Sequence, residues 1–148
     1  MTLIWLYYTI MNIVEITNSF CFNYLSCIRR AANRLNITTA QILCLHAVPF
    51  KGISQSALAK KISIDISTLS RNLDKLILLD IVYKTSSNID RRSYKISLTS
   101  QGEELYLQFN DIIKEEIETI YDKLELEEYD QMLEILNKLN WQLELINK

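Results

Sequence analysis

The sequence predicts a mainly α-helical fold with one small β-hairpin. Only two of its 148 residues are glycine and one is proline, and sheet-rich folds need more turn residues than that. Apolar residues recur every three or four positions over long stretches, which is the spacing of amphipathic helices. Residues 81–98 are the exception, because two short segments there alternate in polarity and predict antiparallel strands. The length and the 49% hydrophobic content predict a single domain over residues 1–148.

The first half of the chain predicts two helices. Apolar residues between 10 and 35 lie on one face of a long helix. Thr38 and Gln41 have the spacing of a capping box, in which each side chain satisfies a free backbone N–H at the start of a second helix. Pro49 should end that helix, because proline lacks the N–H that a helix interior requires.

The segment 3–14 is apolar, but we do not expect it to enter a membrane. It is shorter than the ~20 residues of a membrane span, and Thr9 and Asn12 interrupt it. It also lacks the basic start and small-residue cleavage site of a signal peptide. We expect the beginning of a helix that packs on a partner; the alternative is that Met11 is the native start.

Two short helices follow in close succession. Ser54 is suited to cap a helix over 55–62, and Asp65 is suited to cap another that ends near residue 79. Only residues 63–64 separate the first helix from the second cap. Two helices joined this tightly, the second with polar residues on one face, predict a helix-turn-helix.

The predicted hairpin completes a DNA-binding layout. Strands over 81–86 and 93–98 flank a tip that carries Arg91 and Arg92. Arginines on a narrow β-ribbon can enter the minor groove of DNA, where the negative potential is strongest. A hairpin that served only packing would not need them, so residues 36–98 predict a winged helix-turn-helix.

Two long helices are predicted to end the chain. Thr99 caps a fifth helix to about residue 124, and a sixth helix covers 126–146. Each carries an almost heptad apolar stripe with no further sequence to cover it, which favours burial against a second copy. We therefore expect residues 10–35 and 99–148 to form the dimerisation part of a homodimer; an intramolecular helical hairpin is the alternative.

Charge is segregated along the chain, although the formal net charge is only −2. Residues 51–95 carry nine basic and four acidic groups, whereas residues 96–148 carry four basic and thirteen acidic groups. A locally positive surface attracts anions more strongly than the net charge implies. The middle of the chain is the expected anion-facing surface, although solvated helices can also acquire such an imbalance by chance.

The predicted recognition helix can be divided into two faces from its spacing. Leu69, Leu73 and Leu76, with Ile77, are expected to face the core. The outward positions are Ile66, Ser67, Ser70, Arg71, Asp74 and Lys75. The N-terminal half of such a helix is the part best placed in a major groove.

The outward residues predict different contacts with DNA. Arg71 is the expected base reader, because its guanidinium can bind O6 and N7 of guanine. Ser67 and Ser70 can reach base edges or phosphate, and Ile66 could touch a thymine methyl group. Four lysines are expected to contact phosphate groups, which fix the register of the protein on DNA without reading its sequence: Lys60, Lys61, Lys75 and Lys84. Each of them could equally be a solvated surface charge.

Four segments, in this order and spacing, resemble the MarR (multiple-antibiotic-resistance regulator) family of bacterial repressors. They are residues 37–41 (ITTAQ), 53–59 (ISQSALA), 67–71 (STLSR) and 90–102 (DRRSYKISLTSQG). The chain departs from the family pattern at Ala57, where glutamate is usual, and at Asp80, where glycine is usual. Aspartate tolerates a left-handed backbone, so the turn at Asp80 should survive.

The resemblance implies a cytoplasmic, homodimeric transcription regulator that binds a palindromic operator in double-stranded DNA, most often as a repressor. In the wing it assigns Arg92 to the minor groove and Asp90 to bracing that arginine, and we assign Arg91 to phosphate. It also implies release by a small, often aromatic ligand or by an oxidant acting on a cysteine in helix one, a position that Cys21 weakly resembles. A buried structural role is the favoured interpretation of Cys21, because nothing nearby is basic enough to stabilise a thiolate.

The residue inventory argues against an enzyme. His46, the only histidine, lies within an apolar helix and is expected to be a satisfied core or pocket residue. No nucleophile has a recognisable base partner, and neither a metal site nor a cofactor is expected, because the three cysteines have no ligand spacing. The alternative function is a winged helix that contacts only proteins, which would not need three exposed arginines.

Overall fold

The computed structural model describes the backbone of residues 2–86 and 94–146, and the side chains of residues 11–86 and 94–146. The helices are α1 (Thr2–Arg34), α2 (Thr39–Ala47), α3 (Gln55–Lys61), α4 (Ile66–Leu78), α5 (Ser100–Tyr121) and α6 (Leu126–Ile146). The strands are β1 (Ile53–Ser54), β2 (Val82–Ser86) and β3 (Tyr94–Leu98). This arrangement confirms the predicted mainly α winged helix-turn-helix. Helix α1 begins eight residues earlier than expected, because the apolar segment before residue 10 contains no helix breaker.

The predicted caps hold the helix starts in place. Thr38 and Gln41 form the capping box: the Thr38 hydroxyl accepts from Gln41 N at 3.2 Å and the Gln41 amide oxygen accepts from Thr38 N at 2.9 Å. Ser54 and Asp65 cap α3 and α4 as expected. After α4 the chain turns through Asp80, which takes the predicted left-handed backbone with a φ of 54°.

The sheet has three strands in the order β1-β3-β2, all antiparallel. The sequence predicts the β2–β3 hairpin but not β1, because two residues are too short to show any alternation. Strand β1 pairs Ile53 with Ile96. Gly52 leads into it with a φ of +76°, and a Cβ there would meet the side chains of Lys95 and Ser97 at 2.5 Å.

The core lies beneath the helix-turn-helix, where α2, α3, α4 and the sheet meet. Leu69, Leu73 and Leu76 of α4 are fully buried, as predicted. Ile77 is a correction, because 36% of it is exposed. It is eight positions after Leu69, which places it about 80° around the helix from that residue and at the edge of the buried face.

The outer helices are only partly covered by their own chain. Phe109 and Ile113 of α5 are buried together with Ile28 and Ala31 of α1. In contrast, α6 has no buried residue within its described length, and α1 is exposed throughout residues 11–25. The alternative in which the terminal helices cover each other is therefore not observed. Among the described helices, none combines the length and apolarity that crossing a membrane requires.

Candidate nucleic-acid interface

Helix α4 is held rigidly against the body of the protein, with one face left open. The turn from α3 closes through Ser63, whose φ is 54°, and a hydrogen bond from Ile64 N to Ala59 O at 3.1 Å. The buried leucines of α4 then fix its rotation about its own axis. A helix anchored in this way presents the same outward residues in every molecule, as reading a DNA groove requires.

The outward face of α4 agrees with the prediction in all but one residue. Ile66 is 55% exposed, and Ser67, Arg71 and Lys75 are also exposed. Ser70 is only half-buried rather than fully outward, since it follows the buried Leu69. The first two turns of α4 therefore present an apolar group, a hydroxyl and a guanidinium along one side of the helix.

A carboxylate organises the start of α4. Asp65 accepts hydrogen bonds from Thr68 N at 2.8 Å, from Thr68 Oγ1 at 2.7 Å and from the Ser67 hydroxyl. These bonds, above all those from the two hydroxyl groups, hold the pKa of the Asp65 carboxyl well below its usual range. The donor of Ser67 is thus engaged within the chain, whereas its oxygen lone pairs remain available as acceptors.

The structure separates the four candidate lysines into two pairs. Lys60 and Lys75 are exposed on α3 and α4. Lys61 instead donates from Nζ to the carbonyl of Ala47 at 2.9 Å, at the C-terminal end of α2. Lys84 Nζ lies 3.2 Å from an oxygen of Asp74. The latter two, Lys61 and Lys84, therefore have partners within the chain, which cannot be predicted from sequence spacing.

The wing residues predicted to touch DNA lie outside the described residues. This applies to Asp90, Arg91 and Arg92. The strands that lead to them are described, and β2 and β3 remain paired up to Ser86 and Tyr94. The ladder therefore carries the chain to the wing with a fixed register.

An apolar cavity lies between α1, α2 and α5, away from the outward face of α4. Its volume is about 220 Å³, and its lining residues are Tyr24, Ile28, Ile42, Leu43, His46, Phe109, Asn110 and Ile113. His46 is half-buried, its Nε2 lies 2.7 Å from Asn110 Oδ1, and its ring stacks on Tyr106 at 4.4 Å. It is thus the satisfied pocket histidine that the sequence predicts. Burial is the main cause that raises the pKa of Tyr24, and the nearby Tyr121 raises it further, so the Tyr24 hydroxyl stays neutral.

The cysteines differ from the expectation in one respect. Cys21 was expected to be buried, but it is exposed in the single chain, because its part of α1 is not covered by any other described element. Cys44 is 1% exposed, and burial raises the pKa of its thiol. Cys27 is half-buried and accepts a hydrogen bond from the guanidinium of Arg30 at 3.2 Å. Among the described residues, no cluster of potential metal ligands is found.

Comparison with known families gives one match to a family model. Residues 35–94 match the MarR family. The matched region begins directly after α1, covers α2, β1, α3, α4 and β2, and ends at Tyr94, the first residue of β3.

Solved structures of the same fold extend the similarity to almost the whole chain. The chain is similar to a MarR transcriptional regulator from Methanosarcina mazei, with 26% identity over 90% of this chain and 95% of that one, at a TM-score of 0.73. It is similar to a MarR protein from Peptoclostridium difficile, with 22% identity over 92% and 90% of the two chains and a TM-score of 0.76. A mutant of MepR from S. aureus bound to an oligodeoxyribonucleotide matches with 26% identity over 88% of this chain and 96% of that one, at a TM-score of 0.61.

Proposed function

We propose that this chain, whose residues 35–94 match the MarR family and whose fold is that of a solved MarR protein, is a homodimeric, sequence-specific regulator of transcription that binds double-stranded DNA. The recognition helix α4 enters a major groove and the wing lies along the neighbouring minor groove. Repression is the expected outcome, because a dimer seated on an operator blocks access to it. The alternative is a winged helix that contacts only proteins.

The open face of α4 is the observation that carries this proposal. Ile66, Ser67 and Arg71 are exposed on a helix whose opposite face is locked into the core. Together they offer contacts for a thymine methyl group, a base amino group and the acceptor edge of guanine. The MepR mutant of the same fold was captured on an oligodeoxyribonucleotide, which supports the same use of the fold in this chain.

Dimerisation is supported by apolar surface that the single chain leaves open. Phe20 of α1 and Leu143 of α6 are 58% and 57% exposed, and Leu139 is 55% exposed. Leu139 and Leu143 are four positions apart and share a face of α6, and monomeric proteins rarely leave large apolar patches in water. Pairing of two chains would bury this surface and would place two copies of α4 about one helical turn of DNA apart, ~34 Å.

Selection of bound duplexes from a random pool of double-stranded DNA tests the function. We expect a palindromic consensus whose two halves are centred about one helical turn apart. We also expect the binding constant to fall steeply with salt, because bound phosphates release counterions. Recovery of no preferred sequence, together with absence of binding at low ionic strength, would favour the protein-contact alternative.

Release of DNA is proposed to follow occupation of the cavity between α1, α2 and α5. The cavity is lined mainly by apolar groups and by His46 and Asn110, and it joins the helix-turn-helix to the long helices. Its volume of about 220 Å³ is smaller than that of a drug-sized pocket but large enough for a single aromatic ring. A ligand there would alter the packing of α2 on α5 and thus the separation of the two recognition helices. Gel-shift titration of wild type and Ile42→Trp with a set of small phenols tests this idea, because the larger side chain should fill the cavity and abolish the response.

An oxidant is the other proposed signal, acting through Cys21. The thiol is exposed in the single chain and would lie close to the surface where two chains pair. Oxidation there would add polar oxygen atoms to the apolar face of α1. If Cys21→Ser protein still releases DNA under peroxide, this route is excluded; Cys44→Ser is the matched control, because Cys44 is buried.

A further inference from the structure

Lys84 lies on the face of the wing sheet that is turned toward α4. Along β2 the side chains alternate, so that Lys84 shares a face with the buried Val82, and its cross-strand partner Ile96 is also buried. Only 22% of the Lys84 side chain is exposed. Its stem therefore covers the edge of the core, and its ammonium group is directed to α4 rather than away from the protein.

Asp74 receives that ammonium group. Its carboxylate lies 3.2 Å from Lys84 Nζ, and 62% of its side chain is exposed. Asp74 lies on the outward face of α4, one turn after Arg71. A carboxylate in this place would by itself repel DNA phosphates, so its presence beside the proposed base-reading residue needs an explanation.

The ion pair of Asp74 and Lys84 is a second polar contact between the recognition helix and the wing sheet. The first contact is a hydrogen bond at the base of the sheet, where Ile81 N donates to Leu76 O at 2.9 Å. Lys84 lies three residues further along the chain, about 10 Å closer to the wing tip. The buried side chains of Val82 and Ile96 already pack the sheet on the core, and a polar contact at this second distance along the strand adds resistance to rocking of the sheet about its base.

We propose that Asp74 and Lys84 are positioning residues that fix the wing relative to α4, so that helix and wing meet DNA as one preorganised unit. This inference rests on the proposed DNA-binding function. Preorganisation lowers the conformational entropy lost on binding. Lys84 then acts through Asp74 and not as a phosphate contact, which revises the role that its charge alone suggests.

The two possible roles of Asp74, repulsion of phosphate and positioning of the wing, predict opposite effects of Asp74→Asn on DNA affinity. If Asp74 only repels phosphate, Asp74→Asn should tighten DNA binding, and it should tighten it further by releasing Lys84 toward the backbone. If Asp74 holds the wing in place, the same substitution should weaken binding despite the lost negative charge. Lys84→Met provides the second arm, because it keeps the apolar stem and removes the ammonium group.

The experiment measures the dissociation constant for the selected duplex by fluorescence anisotropy over a range of salt concentrations. The variants are Asp74→Asn, Lys84→Met, the double variant, and the charge swap Asp74→Lys with Lys84→Asp. Asp111→Asn on the exposed side of α5 controls for net charge, and Lys60→Met controls for loss of an exposed lysine near DNA. Thermal unfolding of each variant establishes that it folds.

We expect each single variant to bind about threefold to fivefold more weakly, which corresponds to the upper part of the range for loss of one exposed ion pair. The double variant should bind no more weakly than the worse single variant, the charge swap should recover part of the loss, and the salt dependence should stay that of wild type. Equal or tighter binding by Asp74→Asn, or a salt slope reduced by about one in Lys84→Met, would overturn the inference while leaving the proposed function intact. Wild-type protein that binds no duplex would overturn the proposed function itself.

Discussion

Gly102 of α5 packs directly against the carbonyl group of Ile81: a Cβ at Gly102 would stand 1.9 Å from the Ile81 oxygen. The same oxygen accepts from Thr99 N at 3.1 Å and from Thr99 Oγ1 at 3.2 Å. Thr99 Oγ1 in turn accepts from Gly102 N at 3.0 Å and so caps α5. The start of the long helix is thereby anchored, backbone to backbone, to the residue that leads into the wing sheet.

We expect Gly102→Ala to destabilise the protein. In an ordinary helix this change is favourable by about 1 kcal/mol, but here the added methyl group would collide with a backbone oxygen that cannot move alone. The expected loss is roughly 1–3 kcal/mol of unfolding free energy, the usual range for overpacking. Urea unfolding measures it, with exposed Gln101→Ala as a control that should stay within about 0.5 kcal/mol. A stabilised Gly102→Ala protein would mean that this contact is not made.

We expect Glu116→Gln to lose stability at neutral pH but not in acid. Arg30 Nη2 lies 2.6 Å from a carboxylate oxygen of Glu116 and joins α1 to α5, and its hydrogen bond is the main cause that lowers the pKa of that carboxyl. The folded state thus favours the ionised form, so the stabilisation is fully present above the unfolded-state pKa of about 4.5 and disappears as the pH falls through the lower folded-state pKa.

Thermal unfolding as a function of pH measures this difference. Wild type and Glu116→Gln should differ at pH 7, and the difference should shrink progressively as the pH is lowered below about 4.5. Glu115→Gln is the matched control, because Glu115 lies 3.6 Å from Arg34 in a more exposed pair and should contribute less. A constant gap between wild type and Glu116→Gln across that range would show that the ion pair is not its source.

Local signals account for most of what the sequence predicts correctly. Thr38, Ser54 and Asp65 cap the helices that their spacing predicts, because a cap depends only on residues within one turn. The left-handed turn at Asp80 follows from the same local chemistry. These predictions need no knowledge of the tertiary structure.

The features that the sequence misses depend on distant parts of the chain. The ion pair of Asp74 and Lys84 joins residues on different elements, and a single sequence contains no signal for such a meeting. The same holds for the hydrogen bond between His46 and Asn110, which are 64 positions apart. The exposure of Cys21 in the single chain is not predicted, because periodicity shows which face of a helix is apolar but not whether the same chain covers it.

We expect Arg71→Ala to weaken operator binding and to relax sequence preference at one base pair in each half-site. Arg71 is exposed on α4, and a bidentate contact to guanine is worth about 1–3 kcal/mol of discrimination. Fluorescence anisotropy with the selected duplex and its single-base variants measures both effects. Arg29→Ala on α1 removes the same charge elsewhere and should leave specificity unchanged. Uniform weakening across all duplexes would instead assign Arg71 to phosphate.

We expect Arg92→Ala to weaken operator binding at least tenfold while thermal stability stays at the wild-type level. The reason is that a guanidinium in the minor groove is attracted by the strong negative potential there, whereas an exposed charge on a wing contributes little to folding. A gel-shift titration with parallel thermal unfolding measures both quantities. Equal affinity of variant and wild type would refute the assignment of Arg92 to the groove.

We expect Leu136→Glu on α6 to convert the protein to monomers and to weaken operator binding. Leu136 and Leu143 belong to the apolar stripe of α6, which the single chain leaves exposed. Burying a carboxylate between two chains without a partner costs several kcal/mol, and loss of the dimer removes the simultaneous engagement of two half-sites. Sedimentation equilibrium over a range of concentrations measures the association.

The control for this prediction is Gln142→Glu, which adds the same negative charge to the same helix. Position 142 is about 120° around α6 from Leu136, so its charge should remain in water and the dimer should persist. Fold integrity can be read from the far-ultraviolet circular dichroism of both variants, because α6 has no buried residue in the single chain and its apolar stripe is not needed for the core. If Leu136→Glu remained dimeric with wild-type affinity for DNA, the apolar stripe of α6 would not be the surface through which the two chains pair.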